Sequence, residues 1–106
     1  IDDRIKDVII SGSENIYPAE LERILDLCSD LSESAVVGRS DKEWGEVPVA
    51  FIVPAEGANV TRDVIQGLFD GKIARFKQPR DVIFVSKLPR NAMGKVLKFK
   101  LREMLC

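Results

Sequence analysis

The chain has 106 residues, of which 45% are hydrophobic and 31% charged; that is enough for one core but not two, and no apolar run is long enough to span a membrane. It contains no histidine, which excludes Ser-His-Asp and Cys-His nucleophilic chemistry and removes the commonest transition-metal ligand. The net charge of −1 hides a split: residues 1–71 hold 6 basic and 15 acidic side chains, and residues 72–106 hold 10 basic and 2 acidic ones. The basic third suggests an anionic ligand there, unless folding sets the two halves against each other.

In chain order, Arg4–Ser11 reads as a short strand or hairpin arm rich in isoleucine and valine, stopped at Gly12, with Gly12–Asn15 as loop. Pro18 suits the first position of a helix running to Cys28, with acids in its first turn and Leu21, Ile24, Leu25 and Cys28 on one face. Glu33–Ser40 reads as a core strand, Asp41–Gly45 as a turn and Glu46–Pro54 as the returning strand. After a loop at 55–59, Thr61 caps a second helix expected to run to about Phe76, its buried stripe being Val64, Ile65, Leu68, Phe69 and Ile73. Gly67 and Gly71 weaken that helix. Asp81–Val85 is a third core strand with Phe84 inside it, and Val96–Leu105 is a short amphipathic segment read as helical. The order implies an α+β domain, a small sheet covered by helices with an N-terminal hairpin.

Without an initiator methionine or a signal-like segment, the chain is expected to be a fragment. Cys28 and Cys106 are in no metal-ligand or CxxC spacing, so no metal site is expected and a reduced, cytoplasmic setting is. The stretch Pro89-Arg90-Asn91-Ala92-Met93-Gly94-Lys95 frames one ammonium beside a glycine, an arrangement that can hold a point charge against an anion. A β-turn with a solvated lysine fits those seven residues equally. The stretch is not a phosphate-binding P-loop, because Pro89 stands where the first glycine belongs and Val96 replaces the hydroxyl. Basic residues interleave with aromatics too sparsely to argue for nucleic acid.

The ordered set Arg4-Ile5-Lys6-Asp7, Ile10-Ser11-Gly12, Ile16-Tyr17-Pro18-Ala19-Glu20-Leu21-Glu22, Phe76-Lys77-Gln78-Pro79 and Leu88-Pro89 with Gly94-Lys95 resembles the C-terminal domain of the adenylate-forming enzymes. Trp44-Gly45-Glu46 and the loop's wording are most similar to the acyl- or aryl-CoA ligases. The resemblance implies a single C-terminal domain, residues 1–106, of an ATP-dependent acyl-CoA synthetase. Its large N-terminal domain, its partner, would lie outside this sequence, so the chain alone is expected to be inactive. By similarity, Lys95 joins the carboxylic acid substrate to the α-phosphate of ATP, whose Mg ion is bound mainly by the large domain. Lys6 matches the hinge and Arg4 the residue at the nucleotide ribose. Gly12 matches the glycine lining the tunnel for the CoA arm, and Trp44, Phe76 and Arg80 match positions near the CoA nucleotide.

Two positions depart from the pattern. Ile10 stands where luciferases carry lysine, and Ser13 stands where many CoA ligases have a second glycine. The resemblance also implies that Lys95 is a target for a lysine acetyltransferase and deacetylase, and that a long-chain acid would bring the enzyme to a membrane surface. Two alternatives stay open at this point: an adenylation domain that loads a carrier protein, and a non-catalytic phosphate-binding or interaction module.

Overall fold

The computed structural model describes residues 8–74 and 77–105. Eight elements follow one another: β1 (Ile9–Ser11), β2 (Glu14–Ile16), α1 (Pro18–Asp26), β3 (Leu31–Asp41), β4 (Gly45–Pro54), α2 (Arg62–Gly67), β5 (Asp81–Phe84) and α3 (Lys98–Met104). The expected α+β architecture is present. The sheet has five strands and is mixed: β2, β1, β4 and β3 are neighbours in that order and antiparallel, while β5 adds to β4 in parallel.

Strand β4 is the spine. Along one edge it pairs with β3 from Asp41↔Gly45 to Leu31↔Pro54. Its other edge is shared: Gly45 pairs with Ser11 of β1, and Val49–Ile52 pair with Asp81–Phe84 of β5. Every residue from Val47 to Val53 is buried, as expected for a strand covered on both faces. Side-chain alternation sorts the core into two halves. Ala50 and Ile52 join Val36 and Val82 beneath α1 and α2, with Leu21, Leu25, Ile65 and Phe69. Val49, Phe51 and Val53 join Ala35 and Val37 on the other face, where Leu88 and Leu101 of the C-terminal segment cover them.

Helix α1 begins at Pro18, whose fixed φ and missing N–H suit a first-turn position. Leu21 and Leu25 are fully buried. The helix stops at Asp26, so Cys28 lies just beyond it, half-buried, with its N–H donated to the Leu25 carbonyl at 3.0 Å. The carboxylate of Glu22 accepts the Val36 N–H of β3 at 3.1 Å and pairs with Lys98 Nζ of α3, also at 3.1 Å. One acidic side chain thus ties the helices of both faces to the same strand.

Four sequence expectations are corrected. Glu14 and Asn15, read as loop, belong with Ile16 to a strand: β1 and β2 form a hairpin with Ile9↔Ile16 and Ser11↔Glu14 in register, turning through Gly12 and Ser13. Gly12 has φ +62, as a two-residue turn with glycine at its first central position requires. Helix α2 ends at Gly67, not near Phe76; residues 68–72 continue as turns closed by i→i−3 bonds such as Phe69 N–H to Gln66 O (3.2 Å), with the two glycines too weak to propagate a helix. Phe69 is nonetheless fully buried, while Val64, placed in the buried stripe, is 44% exposed because so short a helix presents only a narrow face. Phe84 ends β5 and is 40% exposed, so it is not a core residue. Residues 4–7 of the first strand reading lie outside the described residues.

Truncating Phe51 to Ala removes the largest side chain on the α3 face and is expected to lower stability by about 3–5 kcal/mol. Val64→Ala, at an exposed position, is expected to change it by less than about 0.5 kcal/mol. Urea unfolding of the two variants beside the parent chain checks both.

Candidate active site

Two hairpin turns and the entry to β5 meet where β4 begins. The β3–β4 turn is organised by Asp41, whose Oδ2 accepts the N–H groups of Glu43 (3.0 Å) and Trp44 (2.9 Å). Trp44 in turn accepts the Gly12 N–H on its carbonyl at 2.6 Å, so the tip of the β1–β2 hairpin is bonded to the tip of the β3–β4 hairpin. The Ile10 N–H is taken by Glu46 Oε1 at 3.1 Å, which secures the short arm β1. Arg80 arrives immediately before β5, its N–H donated to the Pro48 carbonyl at 2.8 Å. Its guanidinium lies 5.7 Å from the Trp44 ring centroid, within range of a cation–π attraction.

Gly12, Trp44 and Arg80, three of the sequence-derived site residues, are therefore neighbours. Trp44 is 40% exposed. A Cβ built on Gly12 would stand 3.3 Å from Trp44 Cε3, so the glycine keeps a surface beside the indole that any other residue would fill. Asp81, next to Arg80, accepts ion pairs from Arg39 (3.3 Å) and Arg62 (3.4 Å). Arg62 also donates to the Arg80 carbonyl at 3.0 Å. These contacts fix the backbone that carries Arg80 and leave its guanidinium to the indole.

Lys95 sits in a separate place. It is exposed, on a loop closed at its base by an isolated Arg90↔Val96 bridge and by the Leu97 N–H bonded to the Pro89 carbonyl at 2.8 Å. Within the loop, Asn91 Oδ1 accepts the Met93 N–H (2.9 Å) and the Lys95 N–H (3.0 Å). Gly94 has φ +85, a conformation that the Gly-Lys dipeptide supplies without steric cost. Arg90 reaches out of the loop to Glu33 of β3. Met93, at the tip, is 91% exposed.

The two places lie at opposite ends of the sheet. Glu33, the anchor of the Lys95 loop, is in register with Val53 near the end of β4, while Trp44 precedes its first residue, Gly45. At about 3.3 Å per residue, the strand between Gly45 and Val53 separates the two anchors by on the order of 25 Å. The resemblance assigns Lys95 to the adenylation step and Gly12, Trp44 and Arg80 to the CoA side; in the structure these two groups of residues stand apart. Arg4, Lys6 and Phe76 lie outside the described residues.

The basic C-terminal third is partly neutralised by the acidic remainder, through Lys98 with Glu22 and Arg90 with Glu33. Sequence reasoning did not find Glu33 or Asn91. The asparagine carried a local signal, since Asn commonly caps N–H groups two residues on in a turn, whereas nothing in the chain marks a glutamate 57 positions away as the partner of Arg90. Among the described residues no group of three or more Cys, Asp or Glu could hold a metal ion, and no helix is long and apolar enough to cross a membrane.

The sequence model of the AMP-binding enzyme C-terminal domain matches residues 20–95, and the chain belongs to that family. It is 50% identical over 105 residues, 99% of its length, to the indoleacetate–CoA ligase of Aromatoleum aromaticum, and covers 21% of that enzyme. Among solved structures, a Mycobacterium tuberculosis fatty acyl CoA synthetase superimposes with a TM-score of 0.88 at 44% identity, over 95% of this chain and 20% of the other. The o-succinylbenzoate CoA synthetase of Bacillus subtilis, in complex with its acyl-adenylate intermediate, does so with a TM-score of 0.84 at 38% identity, over 92% and 20%. The chain thus spans about a fifth of the length of the relatives it matches.

Gly12→Ala places a Cβ against Trp44 and forces alanine into the left-handed region, so it is expected to cost about 1–3 kcal/mol and to push the indole outward. As Trp44 is the sole tryptophan, a red shift of the native-state fluorescence, with the unfolding midpoint, checks both effects.

Proposed function

We propose that this chain acts as the mobile C-terminal domain of an AMP-forming acid–CoA ligase, using its two ends in two successive half-reactions. The observation that carries the reading is the separation of the Lys95 loop from the Gly12–Trp44–Arg80 cluster by the length of β4, in a family that includes the CoA ligases it resembles. A rigid body cannot bring both ends to one reaction centre at once. Presenting first one and then the other requires a rotation, and the hinge for it is assigned to Lys6 by resemblance.

In the first half-reaction a carboxylate attacks the α-phosphate of ATP, forming an acyl-adenylate and releasing pyrophosphate. Both reactants are anions, so their approach is opposed until a cation lies between them. Lys95 supplies that ammonium from an exposed loop, and once the large domain closes over it and excludes water its charge acts at low dielectric. Arg4 serves the ribose. The resemblance assigns the Mg ion and most of the nucleotide to the large domain, and among the described residues no acidic cluster could hold a metal ion.

In the second half-reaction the thiol of CoA attacks the acyl carbonyl of the adenylate and AMP leaves. The cluster at the start of β4 fits a coenzyme that combines a slim pantetheine arm with a purine and phosphates. Gly12 leaves backbone beside the indole, the half-exposed Trp44 face accepts a planar base, and Arg80 offers its guanidinium to the phosphates, while Phe76 is assigned to the nucleotide by resemblance alone. The nature of the matched relatives favours CoA over a carrier protein as acceptor. Alone, the chain carries only its own share of each site and does not turn over.

In the full-length ligase, Lys95→Ala is expected to slow adenylate formation by on the order of 10²–10³ while sparing thioester formation from supplied acyl-adenylate. Gly12→Leu is expected to do the reverse. Pyrophosphate release and acyl-CoA formation, followed separately, test the division; a Lys95→Ala enzyme that forms adenylate normally overturns it. Acetylation of Lys95, which removes its charge, is expected to reproduce the Lys95→Ala pattern. Rates of the enzyme stoichiometrically acetylated at Lys95, before and after enzymatic deacetylation, check this.

A further inference from the structure

The peptide unit between Gly94 and Lys95 is gripped at both of its polar ends by side chains of the same loop. Its carbonyl, that of Gly94, accepts a hydrogen bond from Arg90 Nη1 at 2.6 Å. Its N–H, that of Lys95, is donated to Asn91 Oδ1 at 3.0 Å. The Asn91 backbone adds a second pair: its N–H bonds the Lys95 carbonyl and its carbonyl accepts the Gly94 N–H, both at 3.0 Å. Arg90 is itself oriented from outside the loop, through Nε at 2.9 Å and through Nη2 to Glu33 Oε1 on β3.

We propose that Arg90, held by Glu33, and Asn91 are positioning residues that fix the plane of the Gly94–Lys95 peptide and so aim the Lys95 side chain; the inference rests on the adenylation role proposed above for Lys95. Three features favour positioning over plain stabilisation. Arg90 and Glu33 are 41% and 27% exposed, and ion pairs at such exposure contribute little to folding. The residues from Asn91 to Lys95 are all exposed, so the grip secures no core. Gly94, free to rotate and at positive φ, is the hinge that would let Lys95 wander if the grip were absent. A displacement of the order of 1 Å at a reacting charge costs about 100-fold in rate, so a clamp on this one peptide has a kinetic rather than a thermodynamic purpose.

The test uses the full-length ligase carrying Asn91→Ala, Asn91→Thr, Arg90→Ala or Glu33→Gln, with Lys95→Ala in parallel. Adenylate formation is read as pyrophosphate release, and thioester formation from chemically supplied acyl-adenylate is read separately. Asn91→Ala and Arg90→Ala are expected to lower kcat of adenylation by about 10–100-fold with little change in the KM for ATP, and to leave the thioester step intact. Glu33→Gln, which removes the charge but keeps an acceptor, is expected to fall between these and the parent. Asn91→Thr, whose hydroxyl still accepts N–H groups, is expected to recover most of the loss. Equal losses in both half-reactions, or adenylation at the parent rate in Asn91→Ala and Arg90→Ala, overturn the clamp. If only Lys95→Ala impairs adenylation, the clamp alone falls. If Lys95→Ala spares adenylation, the role of Lys95 falls and takes the clamp with it.

Discussion

The pairing of β4 with three neighbours at once is the constraint from which the rest of the molecule follows. Its long antiparallel ladder with β3 fills one edge, while β1 and β5 divide the other between them. Because both faces are also covered, the seven residues from Val47 to Val53 are all buried. No side chain along that run can serve a ligand. Chemistry is thereby displaced to the ends of the strand, where turns must form and polar groups reach solvent. The tip contacts between Gly12 and Trp44 and the anchoring of Arg80 at Pro48 are products of this geometry. So is the attachment of the Lys95 loop through Glu33 near the far end.

A domain of this construction has one rigid length and two dissimilar ends. The end near Gly45 combines a bare backbone position, an indole face and a guanidinium, a mixture that favours a ligand with an apolar arm, a flat ring and negative charge. The Lys95 end carries an exposed ammonium on a braced loop, suited to an encounter between two anions. The chemical contrast between them matches the contrast between the two half-reactions proposed for the parent ligase, in which an anion is activated first and a long thiol-bearing coenzyme is admitted afterwards. In that proposal distance, not only composition, keeps the two tasks apart.

Much of the fold was legible from pattern alone. Pro18 and the spacing of Leu21 and Leu25 marked α1, and the apolar runs at 35–37 and 47–53 marked the paired strands, because burial on both faces demands an uninterrupted apolar sequence. The misreadings share a cause: each concerns an element whose existence depends on a neighbour. Strand β2 has three residues and buries only Ile16, so its pairing with β1, not its composition, makes it a strand. Helix α2 carried a plausible apolar period past residue 67, yet tertiary packing keeps Phe69 in the core without helical backbone. Phe84 is apolar within a strand, but it lies at the strand's end, where the cover runs out. For the candidate site, the family-like words singled out Gly12, Trp44, Arg80 and Lys95. That Gly12 and Arg80 both meet Trp44, and that the Lys95 loop is braced from Glu33, depends on register across the sheet and on contacts far apart in sequence.

The carboxylate of Glu22 has a consequence beyond joining two helices. Among the described residues strand β3 has β4 on one side only, so its outer rim would otherwise display unsatisfied amides, a template on which a foreign strand could add. Glu22 occupies one of those amides, that of Val36, in the middle of the rim, and Lys98 closes over it from the opposite layer. An incoming chain would have to displace a buttressed ion pair before its first rung could form. The domain thus carries its own guard against edge-to-edge aggregation, built from one acid and one base 76 positions apart in the chain.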